Sequence, residues 1–207
     1  MRKIILASQS PRRKELLTMM GLEFEAVPSD FDEQLDDTRT PEAVAMELGL
    51  GKAMAVAQRY PEAIVIGSDT IVTIDGRQLA KAATIDEARA MLRDVTLHPN
   101  TVTSSLAVVC LAENKQSVQA ESSRVYFKPY DAKQIDAYLA TGDYADKAGA
   151  YGVQSGAAAL IDHIEGNVDT IVGLPTHLLA PVLRQFGYQV TAIEYRLASS
   201  VRVVPIP

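Results

Sequence analysis

The sequence predicts an α/β protein built on a mixed sheet flanked by helices. Three observations carry this expectation. Near the start, short apolar runs pass directly into capped amphipathic segments, the pattern of a βα opening. In the middle, residues 102–112 and 119–127 form two long strand-like runs suited to antiparallel pairing, so a purely parallel sheet does not fit. Apolar residues make up 47% and charged residues 22% of the chain, the balance of a globular domain and not of a disordered or fibrous one.

Each element has a local reason. Residues 3–7 read as a buried strand. Ser10 then caps a helix to about Met20, with Pro11 at its first position, where a missing N–H costs nothing, and Gly21 at its end. Residues 24–27 form a second strand, and 29–39 an acidic loop. Thr40-Pro41 starts a helix running to about Tyr60; Gly49 and Gly51 weaken its middle by ~1 kcal/mol each relative to Ala. Residues 63–67 and 70–74 are strands, with Asp75-Gly76 as a hairpin turn. Thr84 to Glu87 is a capping box before a helix to about Val95. Residues 131–141 form a helix, 145–155 a loop of small residues, and 158–164 a strand closed by Gly166-Asn167. A helix over 175–186 and a last strand over 188–195 complete the pattern; residues 198–207 show no clear periodicity.

Composition excludes several functions. The 207 residues fit one large domain or two small ones, and are read as a single domain over 1–207. The formal charge of −6 argues against a nucleic-acid binder, whose affinity comes from phosphate contacts. One cysteine, Cys110, allows neither an internal disulfide framework nor a Cys-based zinc site. No run approaches ~18 apolar residues, so no membrane span is expected. The N-terminus lacks the form of a signal peptide, and a cytoplasmic protein is expected.

Four places can hold chemistry. Ser8-Gln9-Ser10-Pro11-Arg12-Arg13-Lys14 puts hydroxyls and three cations at a helix N-terminus, where a bound anion would offset their opposition to the macrodipole. An ordinary cap with surface cations is the alternative. Asp69, in Gly67-Ser68-Asp69-Thr70, follows an apolar strand and can hold Mg²⁺ or activate water; otherwise it caps a turn. Lys52, Lys81 and Lys147 read singly as solvated side chains; together with Arg12 and Arg13 they could neutralise the ~4 charges of a triphosphate. Asp30, Asp32, Glu33, Asp36 and Asp37 form either a solvated acidic loop or one whose single carboxylate can join Asp69 at a hard cation. His98, His163 and His177 lack metal-ligand spacing.

Leu6-Ala7-Ser8-Gln9-Ser10-Pro11-Arg12-Arg13 resembles the N-terminal signature of the Maf family of nucleotide pyrophosphatases. The blocks 67–72, 146–154 and 172–175 resemble three further family motifs, in order, over residues 3 to about 187. The resemblance implies hydrolysis of a nucleoside triphosphate to the monophosphate and pyrophosphate with a divalent cation (Mg²⁺, with Mn²⁺ or Co²⁺ as substitutes). It implies a long bent sheet with two lobes around a cleft, similar to the inosine triphosphate pyrophosphatases. Asp69 is carried over as catalytic acid/base and metal ligand, and Glu33 as a second metal contact. Ser8, Arg13, Lys52 and Lys81 fall where the family handles phosphates.

Base specificity in the family varies at the positions of Arg12, Thr70 and Gln154. That combination is similar to the dTTP/UTP group, whereas the 7-methyl-GTP group carries Trp, Gln and Glu there. A neutral Gln offers both donor and acceptor to a uracil-type edge. Three features depart from the family pattern: Gly51 stands for a Glu, Ala80-Lys81-Ala82 for Glu-Lys-Pro, and residues 97–100 for a Gly-x-Thr-His segment. The departures beside Lys52 and Lys81 motivate a rival reading, a non-catalytic nucleotide sensor or interaction protein; a pyrophosphatase for modified purines is a third. A homodimer follows from analogy alone.

Overall fold

The computed structural model describes residues 1–207 apart from 33–37, 155, 194, 196, 198–200 and 207. Strand β1 is Ile4–Leu6, helix α1 Pro11–Met19, β2 Glu25–Ala26 and α2 Pro41–Ala57. Next come β3 Ile64–Gly67, β4 Thr70–Ile74, β5 Arg77–Leu79 and α3 Ile85–Leu97. The long strands are β6 Asn100–Cys110 and β7 Lys115–Phe127, followed by α4 Ala132–Leu139. The chain then forms β8 Ile161–Glu165, α5 Val168–Val172, α6 Thr176–Arg184 and β9 Arg202–Val204. Both expected prolines sit in the first turns of α1 and α2, and the Ser10 and Thr40 hydroxyls accept from Arg13 N–H and Ala43 N–H.

Three expectations are corrected and two elements are added. Residues 156–160 form a 3-10 turn, not the start of a strand; the strand begins at β-branched Ile161, after three alanines with little strand preference. Residues 188–193 contain no strand. There the Arg184 guanidinium donates from Nε and Nη2 to the Val190 carbonyl at 3.2 and 3.1 Å, serving an acceptor that a ladder would otherwise use. Helix α5 and strand β9 were not expected. At α3 the capping box is half formed: Glu87 N–H donates to Thr84 Oγ1, but the Glu87 carboxylate accepts from Ala83 N–H.

The chain divides into two compact units. The first comprises Met1–Thr70, Thr103–Glu121 and Gly173–Glu194. In it β1 pairs in parallel with β2 and β3, and β3 pairs antiparallel with β6, in the register Val65↔Val109, Ile66↔Val108, Gly67↔Ala107. The sheet is therefore mixed, as expected. Helix α2 packs on β3 through Ala53, Val56 and Ala57 against Ile5, Val65, Ala107 and Val109, all nearly or fully buried. Cys110 is buried as a small apolar residue.

The second unit comprises Ile71–Val102, Ser122–Val172 and Tyr195–Pro207. The β4–β5 hairpin turns at Asp75-Gly76, both at positive φ, as a type I′ turn requires. Helices α3 and α4 pack together, and Arg89 reaches Asp136 at 2.9 Å between them. Strand β8 runs antiparallel to β7 and parallel to β9. Tyr151 is buried, its ring edge-on to Phe127 at 4.8 Å and its hydroxyl donating to Asn100 Oδ1. Among the described residues no helix is long and apolar enough to cross a membrane.

Burial pushes the Tyr151 hydroxyl's pKa well above the usual tyrosine value. A folded-state pKa raised this way favours folding with the proton on. Its stabilisation is fully present below pH ~10, the unfolded value, and is lost as pH rises toward the folded one. Urea unfolding between pH 8 and 11.5 should show stability falling above pH 10. Tyr151→Phe should flatten that slope by up to about 1.4 kcal/mol per pH unit. Equal slopes in the two proteins would remove Tyr151 from alkaline unfolding.

Candidate functional site

The first unit brings together Ser8, Arg13, Lys52, Asp69 and Thr70. Ser8 follows β1, and its hydroxyl accepts from Ser10 N–H at 3.1 Å. Arg13, in the first turn of α1, points its guanidinium across the unit. Nη1 donates to Ser8 Oγ at 3.3 Å, Nη2 to Thr70 Oγ1 at 3.0 Å and Nε to the Gly173 carbonyl at 2.9 Å. The Ser68 hydroxyl donates to the same carbonyl at 2.8 Å. Gly173 has φ +122°, and a Cβ there would stand 3.2 Å from Thr70 Oγ1. The fourth motif thus serves the first two through a main-chain oxygen. Arg12, beside Arg13, is half-buried on α1.

Asp69 sits where one apolar strand is broken into β3 and β4, both of which pair with β6. Its carboxylate Oδ1 meets Lys52 Nζ at 2.5 Å, and both side chains are about nine-tenths buried. A salt bridge so enclosed is held by geometry, since each charge would be costly without the other. Ser105 N–H donates to the Asp69 carbonyl and Asp69 N–H to Ser105 Oγ, each at 2.9 Å. Thr70 Oγ1 lies 2.8 Å from Ser104 Oγ. Ser104 and Ser105 escaped the sequence reading; two serines in a strand carry no motif signal.

The glycines of α2 explain how Lys52 reaches Asp69. A Cβ on Gly49 would lie 2.3 Å from Ser105 Oγ, and one on Gly67 2.3 Å from the Gly49 carbonyl. The helix can therefore lie close on β3 and β6 only because both residues lack a side chain. Gly51 serves differently: its absent Cβ leaves room for the Phe31 ring, whose nearest atom would be 2.3 Å away. The space beside Gly51 is occupied by an aromatic ring.

The second unit holds the remaining expected residues. Lys81 is exposed, and its backbone bridges Ala148. Gln154 is half-buried and donates from Nε2 to the Tyr195 hydroxyl. Lys147 is engaged by Asp143 at 2.9 Å and Asp146 at 2.7 Å. Glu33 lies outside the described residues. Of the histidines, His163 stacks on Tyr126 at 4.2 Å within the second unit, and His177 pairs with Glu121 at 3.0 Å within the first.

The profile of the Maf-like protein family matches residues 3–186. A protein of Pelotomaculum thermopropionicum named dTTP/UTP pyrophosphatase is 44% identical over 190 residues, covering 92% of this chain and all of the relative. Proteins of the same name from Symbiobacterium thermophilum and Geobacillus sp. (strain WCH70) are 43% and 40% identical, covering 92% and 91% of this chain and 97% and 100% of theirs.

The glycine argument reverses an ordinary expectation. In a helix interior Gly→Ala stabilises by about 1 kcal/mol. Gly49→Ala should instead destabilise by about 1–3 kcal/mol, because the methyl meets Ser105 in a closed interior. Gly51→Ala should be nearer neutral, since the ring end of Phe31 can swing aside, and Phe31→Ala should restore the helix gain. Urea midpoints of the three variants decide this; a stabilised Gly49→Ala protein would refute the close approach.

Proposed function

The chain belongs to the Maf-like protein family, and from that premise we propose that it hydrolyses the nucleoside triphosphates dTTP and UTP to the monophosphate and pyrophosphate. The observation that carries the reading is the buried Lys52–Asp69 pair at the break between β3 and β4. It stands one residue from Thr70, which Arg13 joins to the start of α1.

In this reading Asp69 orients a water and takes its proton as the water oxygen bonds to the α-phosphorus. The bond from that phosphorus to the bridging oxygen breaks, and pyrophosphate leaves with the electron pair. Lys52 holds Oδ1 and so fixes the direction of the whole carboxylate. Ser8, Arg13, Lys52 and Lys81 are proposed as phosphate contacts, and Arg12, Thr70 and Gln154 as the residues that select the base.

A divalent cation fits the donor set, because Mg²⁺ needs one or two carboxylates beside phosphate oxygens, and Asp69 supplies a hard oxygen with Glu33 as the proposed second. Mg²⁺, or Mn²⁺ or Co²⁺ in its place, would supply charge neutralisation on the phosphates when bound. The proposal places the protein in the cytoplasm and, by analogy, in a homodimer. The sensor reading is weaker, because Lys52 and Asp69 keep their pairing without a Glu at position 51.

Released pyrophosphate should be highest with dTTP and UTP in a panel that includes CTP, ATP and 7-methyl-GTP, each tried with the three metals. Asp69→Asn should retain the fold and lose at least ~10² in turnover. Tight nucleotide binding by calorimetry without turnover in the wild type would turn the assignment to the sensor.

A further inference from the structure

We infer that Ser104 and Ser105, consecutive buried residues of β6, are positioning residues of this site: Ser105 aims Asp69, and Ser104 holds Arg13 through Thr70. The inference rests on the hydrolase reading for its kinetic consequences but on geometry for the placement.

The β3–β6 register, continued without a bulge, sets Asp69 opposite Ser105 and Thr70 opposite Ser104. In a regular ladder a hydrogen-bonded pair exchanges two main-chain bonds. Here one of them forms, from Ser105 N–H to the Asp69 carbonyl at 2.9 Å. The reciprocal donor, Asp69 N–H, goes to the Ser105 hydroxyl at 2.9 Å. A side-chain acceptor has replaced a main-chain one at the residue where the strand breaks. The replacement satisfies a buried amide while freeing Asp69 from the ladder geometry. Its carboxylate can then meet Lys52.

Ser104 works on the next residue. Its hydroxyl lies 2.8 Å from Thr70 Oγ1, which also accepts from Arg13 Nη2 at 3.0 Å. Thr70 therefore acts on Arg13 as well as standing at a base-selecting position. Both serines are fully buried, so neither hydroxyl is placed there by solvation. Gly49, whose Cβ would collide with Ser105 Oγ, keeps space for Ser105.

The two serines should carry different kinetic signatures, which a general loss of stability would not produce. With dTTP and UTP, Ser105→Ala should lower kcat ~10–10²-fold and leave KM within ~3-fold, the scale of a catalytic group displaced by about an ångström. Ser104→Ala should raise KM ~5-fold or more with kcat within ~3-fold, and Ser104→Thr, which keeps a hydroxyl, should restore KM. Amide hydrogen exchange at Asp69 should quicken in Ser105→Ala and not in Ser104→Ala. Unchanged kinetics in both variants, or identical losses in both, would overturn the inference. A wild type inert toward both nucleotides would overturn the hydrolase reading alone. The Asp69 exchange rate would then decide the placement, with no difference between the variants counting against it.

Discussion

The first unit is organised by one requirement: a buried lysine and a buried carboxylate must touch. Lys52 comes from the middle of α2 and Asp69 from a break in the strand beneath it. Removing two charges from water costs several kcal/mol each, and only close contact with satisfied neighbours recovers it. Close contact in turn demands that the helix lie low on the sheet. Gly49 and Gly67 have no side chains to hold it off, and the alanines at 53 and 57 pack where larger residues would lift it. The helix propensity lost at Gly49 is thus the structural cost of bringing an ammonium to the strand break.

That economy explains what could and could not be read from the chain. Caps, turns and apolar runs located β1, α1, α2, β3 and the β4–β5 hairpin, because each is decided by residues near in sequence. The same locality failed at 158–160 and 188–193, where short apolar runs have no periodicity to separate strand from turn and the partner that decides is distant. Gly49 and Gly51 looked like weaknesses of a helix. Their purpose is visible only when Ser105 and Phe31, far away in the chain, are seen filling the space they leave. Asp69 was legible as a candidate, since a carboxylate after an apolar strand is unusual. Its pairing with Lys52 was not, because spacing cannot show convergence.

Arg13 illustrates a related point. Cations in the first turn of a helix oppose the macrodipole, and an anion is one way to offset that. The protein already supplies another: the Ser8 and Thr70 hydroxyls and the Gly173 carbonyl all accept from this one guanidinium. A planar fork with donors in fixed directions suits such a task, which a lysine would perform poorly. Arg13 therefore ties the start of α1 to the residue after Asp69 and to the Gly173 segment. Any contribution it makes to phosphate binding is made from a pre-oriented position, with less side-chain entropy to lose.

The departures from the family pattern then take on a different meaning. A Glu at position 51, as the resemblance would have it, would stand beside Lys52, and its replacement by Gly motivated the rival reading. The lysine is oriented by Asp69 itself, and the space beside Gly51 receives Phe31 from the acidic loop. At Lys81 the flanking Ala80 and Ala82 replace Glu and Pro, yet the local backbone is held by main-chain bonds. Lys81 bridges Ala148, and Gly149 N–H donates to the Ala80 carbonyl at 3.3 Å. Such bonds do not depend on the neighbouring side chains. Lys52 thus keeps a side-chain partner of its own, and at Lys81 the main chain keeps its bonds, with smaller residues standing on either side.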